Sequence, residues 1–263
     1  MTLANPHVPY AIDGLLPNIQ IFDFVLPTYY PIISLTCCVC LIWLVKRGRQ
    51  KEFDARTVID SALVLMFSGF IGARLMHVVL EDLDYYRQNP SDILKFWNGG
   101  FVYYGGALFA FFCTVIFLKR HKERIGDWLN LYAPVMALGY ALGRVACFVT
   151  GCCFGEVCEL VPSYPFRHPT QLYAVVIELL TVVVLLKIER RPLFINKKLA
   201  QIPGFLFCIW IFLHALGRIF MEFLRADPRG PMPFSLSIST WVSLLLLIST
   251  SAYLSSEFKR IKT

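Results

Sequence analysis

The sequence predicts an all-α, polytopic membrane protein: seven transmembrane helices, with the N-terminus outside and the C-terminus in the cytoplasm. Three observations carry this. Of 263 residues, 57% are hydrophobic and only 16% charged, where a soluble domain averages about 25% charged. Seven apolar stretches approach the roughly 20 residues that a helix needs to cross a bilayer. The lysines and arginines gather in every second connection between those stretches, the pattern that sets orientation in membranes.

The expected spans are about 28–45, 57–80, 101–118, 128–150, 170–187, 203–224 and 235–254. In lipid a backbone has no water to bond, so each is expected to be helical. The first and last are nearly free of charge. The second, fourth and sixth each hold one arginine and are assigned on length and flanks. Lys46 to Arg56, Lys119 to Arg124, Lys187 to Lys198 and Lys259 to Lys262 hold 17 of the 25 basic residues. Arg87, Lys95, Arg167, Arg225 and Arg229 fall on the opposite side. The predicted layout is an extracytoplasmic or interfacial segment 1–27, a membrane domain 28–254 with outer loops 81–100 and 151–169, and a cytoplasmic tail 255–263.

Composition also excludes function classes. The charge of +7 does not mark a nucleic-acid binder, because the basic residues lie between apolar runs and not on one folded face. Nine cysteines in so long and apolar a chain do not make a disulfide miniprotein. No removable signal peptide is expected, since the first basic residue is Lys46 and a charged n-region is missing. Repeat symmetry, which a transporter would be expected to show, is not evident.

Three arginines remain inside spans: Arg74, Arg144 and Arg218. Each costs at least roughly 2.5–3.5 kcal/mol near mid-span, so it is expected to face a polar cavity, an acid or a substrate. At 1.5 Å per residue they sit about 25, 24 and 22 Å from the cytoplasmic ends of their spans. Tyr103, Tyr104, Gly105 and Gly106 open span three near the same level. His214, Arg218 and Glu222 are spaced i, i+4, i+8 on one helical face, and Arg225 extends it. Arg144, Cys147 and Gly151 share a face of span four. Gly69, Gly72 and Ala73 thin span two beside Arg74 and His77. The glycines let backbones approach each other or a bulky ligand. An outer-leaflet cationic cavity facing lipid suits an anion with an apolar tail, and the arginine fork suits phosphate.

The run Gly143-Arg144-Val145-Ala146-Cys147-Phe148-Val149-Thr150-Gly151 resembles the signature of the phosphatidylglycerol:prolipoprotein diacylglyceryl transferases. Arg167-His168-Pro169-Thr170-Gln171-Leu172-Tyr173 is similar to that family's His-Pro-Ser/Thr-Gln-Leu-Tyr motif. Gly72-Ala73-Arg74, Gly105-Gly106 and Arg218 to Arg225 follow the same order. The resemblance runs from about residue 57 to 250.

It implies a seven-helix enzyme of the bacterial inner membrane. Such an enzyme takes the diacylglyceryl group from phosphatidylglycerol and places it on the lipobox cysteine of a prolipoprotein signal peptide. No cofactor and no nucleic-acid partner are implied. Arg144 and Arg218 are then the phosphate clamp, with Arg74, Gly105, Gly106, Gly151 and Glu222 around the lipid. Arg74 and Glu222 are expected to support the cavity as an ion pair, and His168, Gln171 and Tyr173 to form the outer-loop motif.

The chain departs from the family pattern at four places. Tyr104 stands for the usual His, Cys147 for Asn, Cys152 for Glu, and Ala174 for an acid. The expected base is therefore His214, with Tyr104 as the competing candidate and orienting group. A non-catalytic lipid-binding or lipid-moving protein is the alternative; it would keep the arginines and tolerate loss of either base. Among the cysteines, a disulfide of Cys158 with Cys152 or Cys153 is expected. No metal is expected, because the spacing is not a zinc pattern.

Overall fold

The computed structural model describes residues 16, 18–21, 24–80, 83–96, 99–158, 166–191, 199, 201–226 and 236–262. Outside them lie most of the expected segment 1–27, Trp97 and Asn98, and Lys197, Lys198 and Arg229 of the charge pattern. The elements in chain order are β1 (Asn18–Ile21), β2 (Phe24–Pro27), α1 (Tyr29–Gln50), α2 (Ala55–Leu80), α3 (Leu83–Gln88), a 3-10 turn (Pro90–Leu94), α4 (Tyr103–Arg120) and α5 (Ile125–Thr150). They continue as β3 (Val157–Cys158), β4 (Phe166–Arg167), α6 (Thr170–Glu189), α7 (Phe205–Glu222) and α8 (Ile238–Lys262).

A helix stands at each expected span. Six of them, α1, α2, α5, α6, α7 and α8, are long and apolar enough to cross a membrane. The exception, α4, has 18 residues and opens on two tyrosines and two glycines, then ends on Lys119 and Arg120, so its apolar stretch is short. α1 and α8 run past the expected spans into their basic ends, because a helix need not stop where apolar sequence does. Two antiparallel strand pairs, β1 with β2 and β3 with β4, depart from the purely helical expectation. Along the helices large apolar side chains such as Ile42, Phe67, Leu180, Leu245 and Ile248 are exposed, as expected where lipid is the solvent.

The chain divides into two compact units, 43–128 and the remainder, 1–42 with 129–263. In the first, α2 packs on α4 through glycines. A Cβ on Gly105 would meet Met76 and lie 2.8 Å from the Gly72 carbonyl oxygen; one on Gly106 would lie 2.8 Å from the Gly69 carbonyl oxygen. Asp54 caps α2, accepting hydrogen bonds from the Thr57 amide and hydroxyl, both at 2.8 Å. Those bonds hold its carboxyl below the usual range, as expected of a charged N-cap.

In the second unit the core joins Ala133 and Ala137 of α5, Leu185 of α6, and Phe205, Leu206 and Trp210 of α7. Asn130 accepts the Leu206 amide at 2.8 Å, satisfying one of the donors that the first turn of α7 leaves unpaired. α7 packs on both α6 and α8.

Candidate active site

The site is built from α5, α6, α7 and the turn after α5, all in the second unit. A pocket is lined by Tyr140, Arg144, Cys153, Gln171, Glu178, His214, Arg218 and Arg225, with Ala174, Ile177, Gly217 and Met221 on its apolar side. Spacing explains the convergence. Tyr140 and Arg144 are one turn apart on α5; His214, Arg218 and Glu222 are successive turns of α7. Gln171, Ala174 and Glu178 follow at i, i+3 and i+7 on α6, the spacing of one face.

Each cation is held differently. Arg144 donates from Nη2 to the Tyr140 hydroxyl at 2.6 Å, with its Cζ 4.7 Å from the centroid of that ring. Among the described residues no carboxylate pairs with it. Arg218 donates from Nη2 to Ser239 Oγ at 3.1 Å, and Ser239 donates to Glu222 Oε2 at 3.0 Å. Glu222 Oε2 also lies 3.5 Å from the same Arg218 nitrogen. Glu222 is thus ion-paired with Arg218.

His214 lies against a residue that the sequence reading overlooked. Its Nδ1 is 2.5 Å from Glu178 Oε1, and Glu178 Oε2 accepts the Trp210 indole N–H at 3.3 Å. The Glu178 side chain is 3% exposed. A carboxylate can only accept, so the proton of this contact is carried on Nδ1, and an imidazole in that tautomer offers Nε2 as an acceptor. Tyr140 stands edge-on to the imidazole at 4.5 Å. The signal for Glu178 was an acid in mid-span, a functional candidate by position alone. Tyr140, Trp210 and Ser239 carried no such signal.

The outer-loop motif splits between two jobs. Gln171 reaches the cavity and donates from Nε2 to the Cys152 carbonyl at 2.5 Å, while its buried Oε1 has no partner. Thr170 donates to the Cys153 carbonyl at 2.7 Å. His168 and Tyr173 pair with each other, Nδ1 to hydroxyl at 3.2 Å, and do not line the cavity. Gly151, at φ +75°, closes α5 with a paired-bond cap: its amide bonds to the Phe148 carbonyl and the Cys152 amide to the Cys147 carbonyl. Its role is to turn the chain.

Cys152 and Cys153 are free thiols, and their sulfurs lie with that of Cys147 within 4.8 Å of one another. The side chain of Cys158 lies outside the described residues, so the expected bridge to it is not described. Hydrogen bonds from Cys147 and Cys152, then the charges of Arg144 and Arg225, hold the Cys153 thiol well below the usual thiol range.

The remaining expected residues belong to the first unit, and their geometry there is structural. Arg74 donates to the carbonyls of Ile93 at 3.1 Å, Asp92 at 2.7 Å, Gly100 at 3.2 Å and Lys95 at 3.5 Å, and also to that of Gly99. It lies 5.2 Å from the Tyr86 ring centroid and is buried. Every guanidinium nitrogen of Arg74 bonds a carbonyl of the loop. Gly105 and Gly106 lie against α2. Tyr104 stands in the first turn of α4 beside Tyr103.

Known proteins agree with the motifs. A sequence model of the family described as prolipoprotein diacylglyceryl transferase matches residues 18–255. The phosphatidylglycerol–prolipoprotein diacylglyceryl transferase of Clostridium tetani is 29% identical over 240 residues, covering 87% of this chain and 92% of that protein. The second such transferase of Clostridium perfringens is 27% identical, covering 87% and 90%. That of Dehalococcoides mccartyi is 32% identical over 71% of this chain and 72% of its own. With nearly its whole length matched and its signature arginines gathered in one cavity, this chain belongs to the prolipoprotein diacylglyceryl transferase family.

Proposed function

We propose that the chain transfers the diacylglyceryl group of phosphatidylglycerol to the lipobox cysteine of a prolipoprotein signal peptide, as a seven-span protein of the bacterial inner membrane with its N-terminus outside. The observation that carries this is one cavity lined by Arg144, Arg218 and the Glu178–His214 pair. The orientation rests on the alternation of basic connections, and the seventh span on α4.

The lipid enters between helices and its phosphate lies between Arg144 and Arg218. Arg144 keeps donors for it, because among the described residues its hydrogen bond goes to the Tyr140 hydroxyl and not to a carboxylate. Gln171 Oε1, buried without a partner, is an acceptor for a headgroup hydroxyl. His214 Nε2 takes the proton of the acceptor thiol, and Glu178 stabilises the imidazolium that results. The sulfur attacks the glyceryl carbon that bears the phosphate ester. The carbon–oxygen bond breaks, and glycerol phosphate leaves with the electron pair, its charge met by the two arginines.

Complementation tests this reading. In a bacterium depleted of its own transferase, wild-type chain should restore lipidation of a reporter lipoprotein. Arg144→Ala and Arg218→Ala should not, and Lys at either place should rescue only in part, since a point charge does not reproduce the fork. Wild-type chain inserted at normal abundance without lipidating the reporter would overturn the assignment and favour the non-catalytic lipid binder.

A further inference from the structure

Two of the chain's departures from the family pattern are cysteines, at 147 and 152, and the next residue is a third. Along the sequence their spacing is unlike a zinc motif. The turn after α5 changes this. The bond from the Cys152 amide to the Cys147 carbonyl, 3.0 Å, folds positions five apart onto one another. Cys153 then adopts φ +64°, a left-handed conformation uncommon for a residue with a Cβ. Together these bring the three sulfurs within 4.8 Å of one another. Zinc–thiolate bonds of about 2.3 Å in a tetrahedron put sulfurs roughly 3.8 Å apart. Side-chain rotation alone can close that difference.

The turn is also held from outside. Gln171 and Thr170, each 2% exposed, bind the carbonyls of Cys152 and Cys153. A strained residue persists only where its surroundings over-determine it, and such strain gathers at functional sites. The cluster is not sealed, because Cys153 lines the cavity with Arg144, Arg218 and His214. Three thiolates around Zn²⁺ carry one net negative charge, and Arg144 and Arg225 are the cations acting there. Among the described residues three sulfurs converge; three protein ligands with one position left open is the arrangement of catalytic zinc, whereas structural sites are closed by four.

We propose that Cys147, Cys152 and Cys153 form a three-thiolate zinc site whose fourth position opens on the cavity and takes the acceptor peptide's thiol. The role of the fourth position rests on the transferase reading; the metal site itself does not. Bound to Zn²⁺, the thiol gives its proton to His214 and stays a nucleophile. Its sulfur forms the bond to the glyceryl carbon as the carbon–oxygen bond to phosphate breaks, and glycerol phosphate carries away the electron pair. The thioether product is a poorer ligand than a thiolate and leaves the metal, and water returns to the position.

The test uses the full chain, purified in detergent without chelator. Elemental analysis should find one zinc per chain. Cys147→Ser and Cys153→Gly should each lose it, the second while relieving the left-handed strain at position 153, so that loss of metal is not loss of fold. Cys208→Ser, on α7 away from the cavity, should keep it. Replacement by Co²⁺ should give a sulfur-to-cobalt charge-transfer band that changes when a lipobox peptide with a free cysteine is added. Wild-type chain that takes up no stoichiometric Zn²⁺ or Co²⁺, or that shows a disulfide between any two of the three cysteines, would overturn the site. A cobalt band unmoved by peptide, or full transfer by the metal-free chain, would overturn the acceptor role while leaving the transferase reading intact. Metal bound in the expected way by a chain that transfers nothing would confirm the site and end the transferase reading alone.

Discussion

Exchanging Glu178 for Gln tests the chemistry at the level of one atom pair. The shape is kept, and the one amide oxygen can still accept the His214 Nδ1–H, while the amide NH2 takes the place of the oxygen that accepts the Trp210 N–H. What is lost is a negative charge, 2.5 Å from the imidazole nitrogen, on a side chain 3% exposed. Two unit charges with centres about 4 Å apart interact by about 4 kcal/mol at an effective dielectric of 20. At 1.4 kcal/mol per factor of ten that is close to 10³-fold, an upper bound that relaxation around the site will reduce. A base that becomes imidazolium only as the thiol proton leaves makes this interaction in the transition state. Glu178→Gln should therefore lower kcat by about 10²- to 10³-fold and leave the KM for lipid nearly unchanged. The assay is initial rate in detergent over a range of lipid concentrations at saturating peptide, normalised to folded protein. Glu178→Gln with His214→Gln should be no slower than His214→Gln alone, because the two act as a unit. A Glu178→Gln rate within threefold of wild type, or multiplying losses in the double variant, would refute the dyad and leave His214 as a packing residue.

Three further outcomes follow from the geometry. Arg74→Ala should destabilise the protein by about 3–5 kcal/mol, as removal of one partner from a buried charged network does, and Arg74→Lys should recover only part; thermal unfolding in detergent reads both. Gly105→Ala should cost about 1–3 kcal/mol of overpacking between α2 and α4, seen as a lower melting temperature. Asp92 is held below the usual carboxylate range by hydrogen bonds from Lys95 and Tyr85. Its stabilising effect should be present above the ordinary value of about 3.9 and be lost as pH falls through the lowered one. Amide protection factors of residues 92–96, corrected for the intrinsic pH dependence of exchange, should therefore fall at acid pH, and Asp92→Asn should remove the dependence.

The helices were legible because length and apolarity alone decide them, and α4 is the marginal one because tyrosines, glycines and basic residues crowd its 18 positions. Arg144, Arg218 and His214 were legible because regular helices turn spacing into a shared face. Arg74 had the same depth in its span, yet its role depends on which carbonyls a distant loop presents, and nothing local encodes that. Glu178 was readable as a lone acid in mid-span, and apolar neighbours on both sides hid it. The convergence of Cys147, Cys152 and Cys153 was not legible because linear spacing is a poor measure of distance where a chain turns. Gly151, directly after the last residue of α5, was the signal that the chain doubles back there.

The central claim is that the arginine-lined cavity moves a diacylglyceryl group onto a thiol. The direct measurement is to incubate the purified, zinc-loaded chain with glyceryl-labelled phosphatidylglycerol and a lipobox peptide, then separate the products. The account predicts labelled thioether on the peptide cysteine, released glycerol phosphate in equal amount, and neither product from Arg218→Ala. Folded wild-type chain that binds the lipid and yields no labelled thioether, or an Arg218→Ala variant that turns over at the wild-type rate, would contradict it.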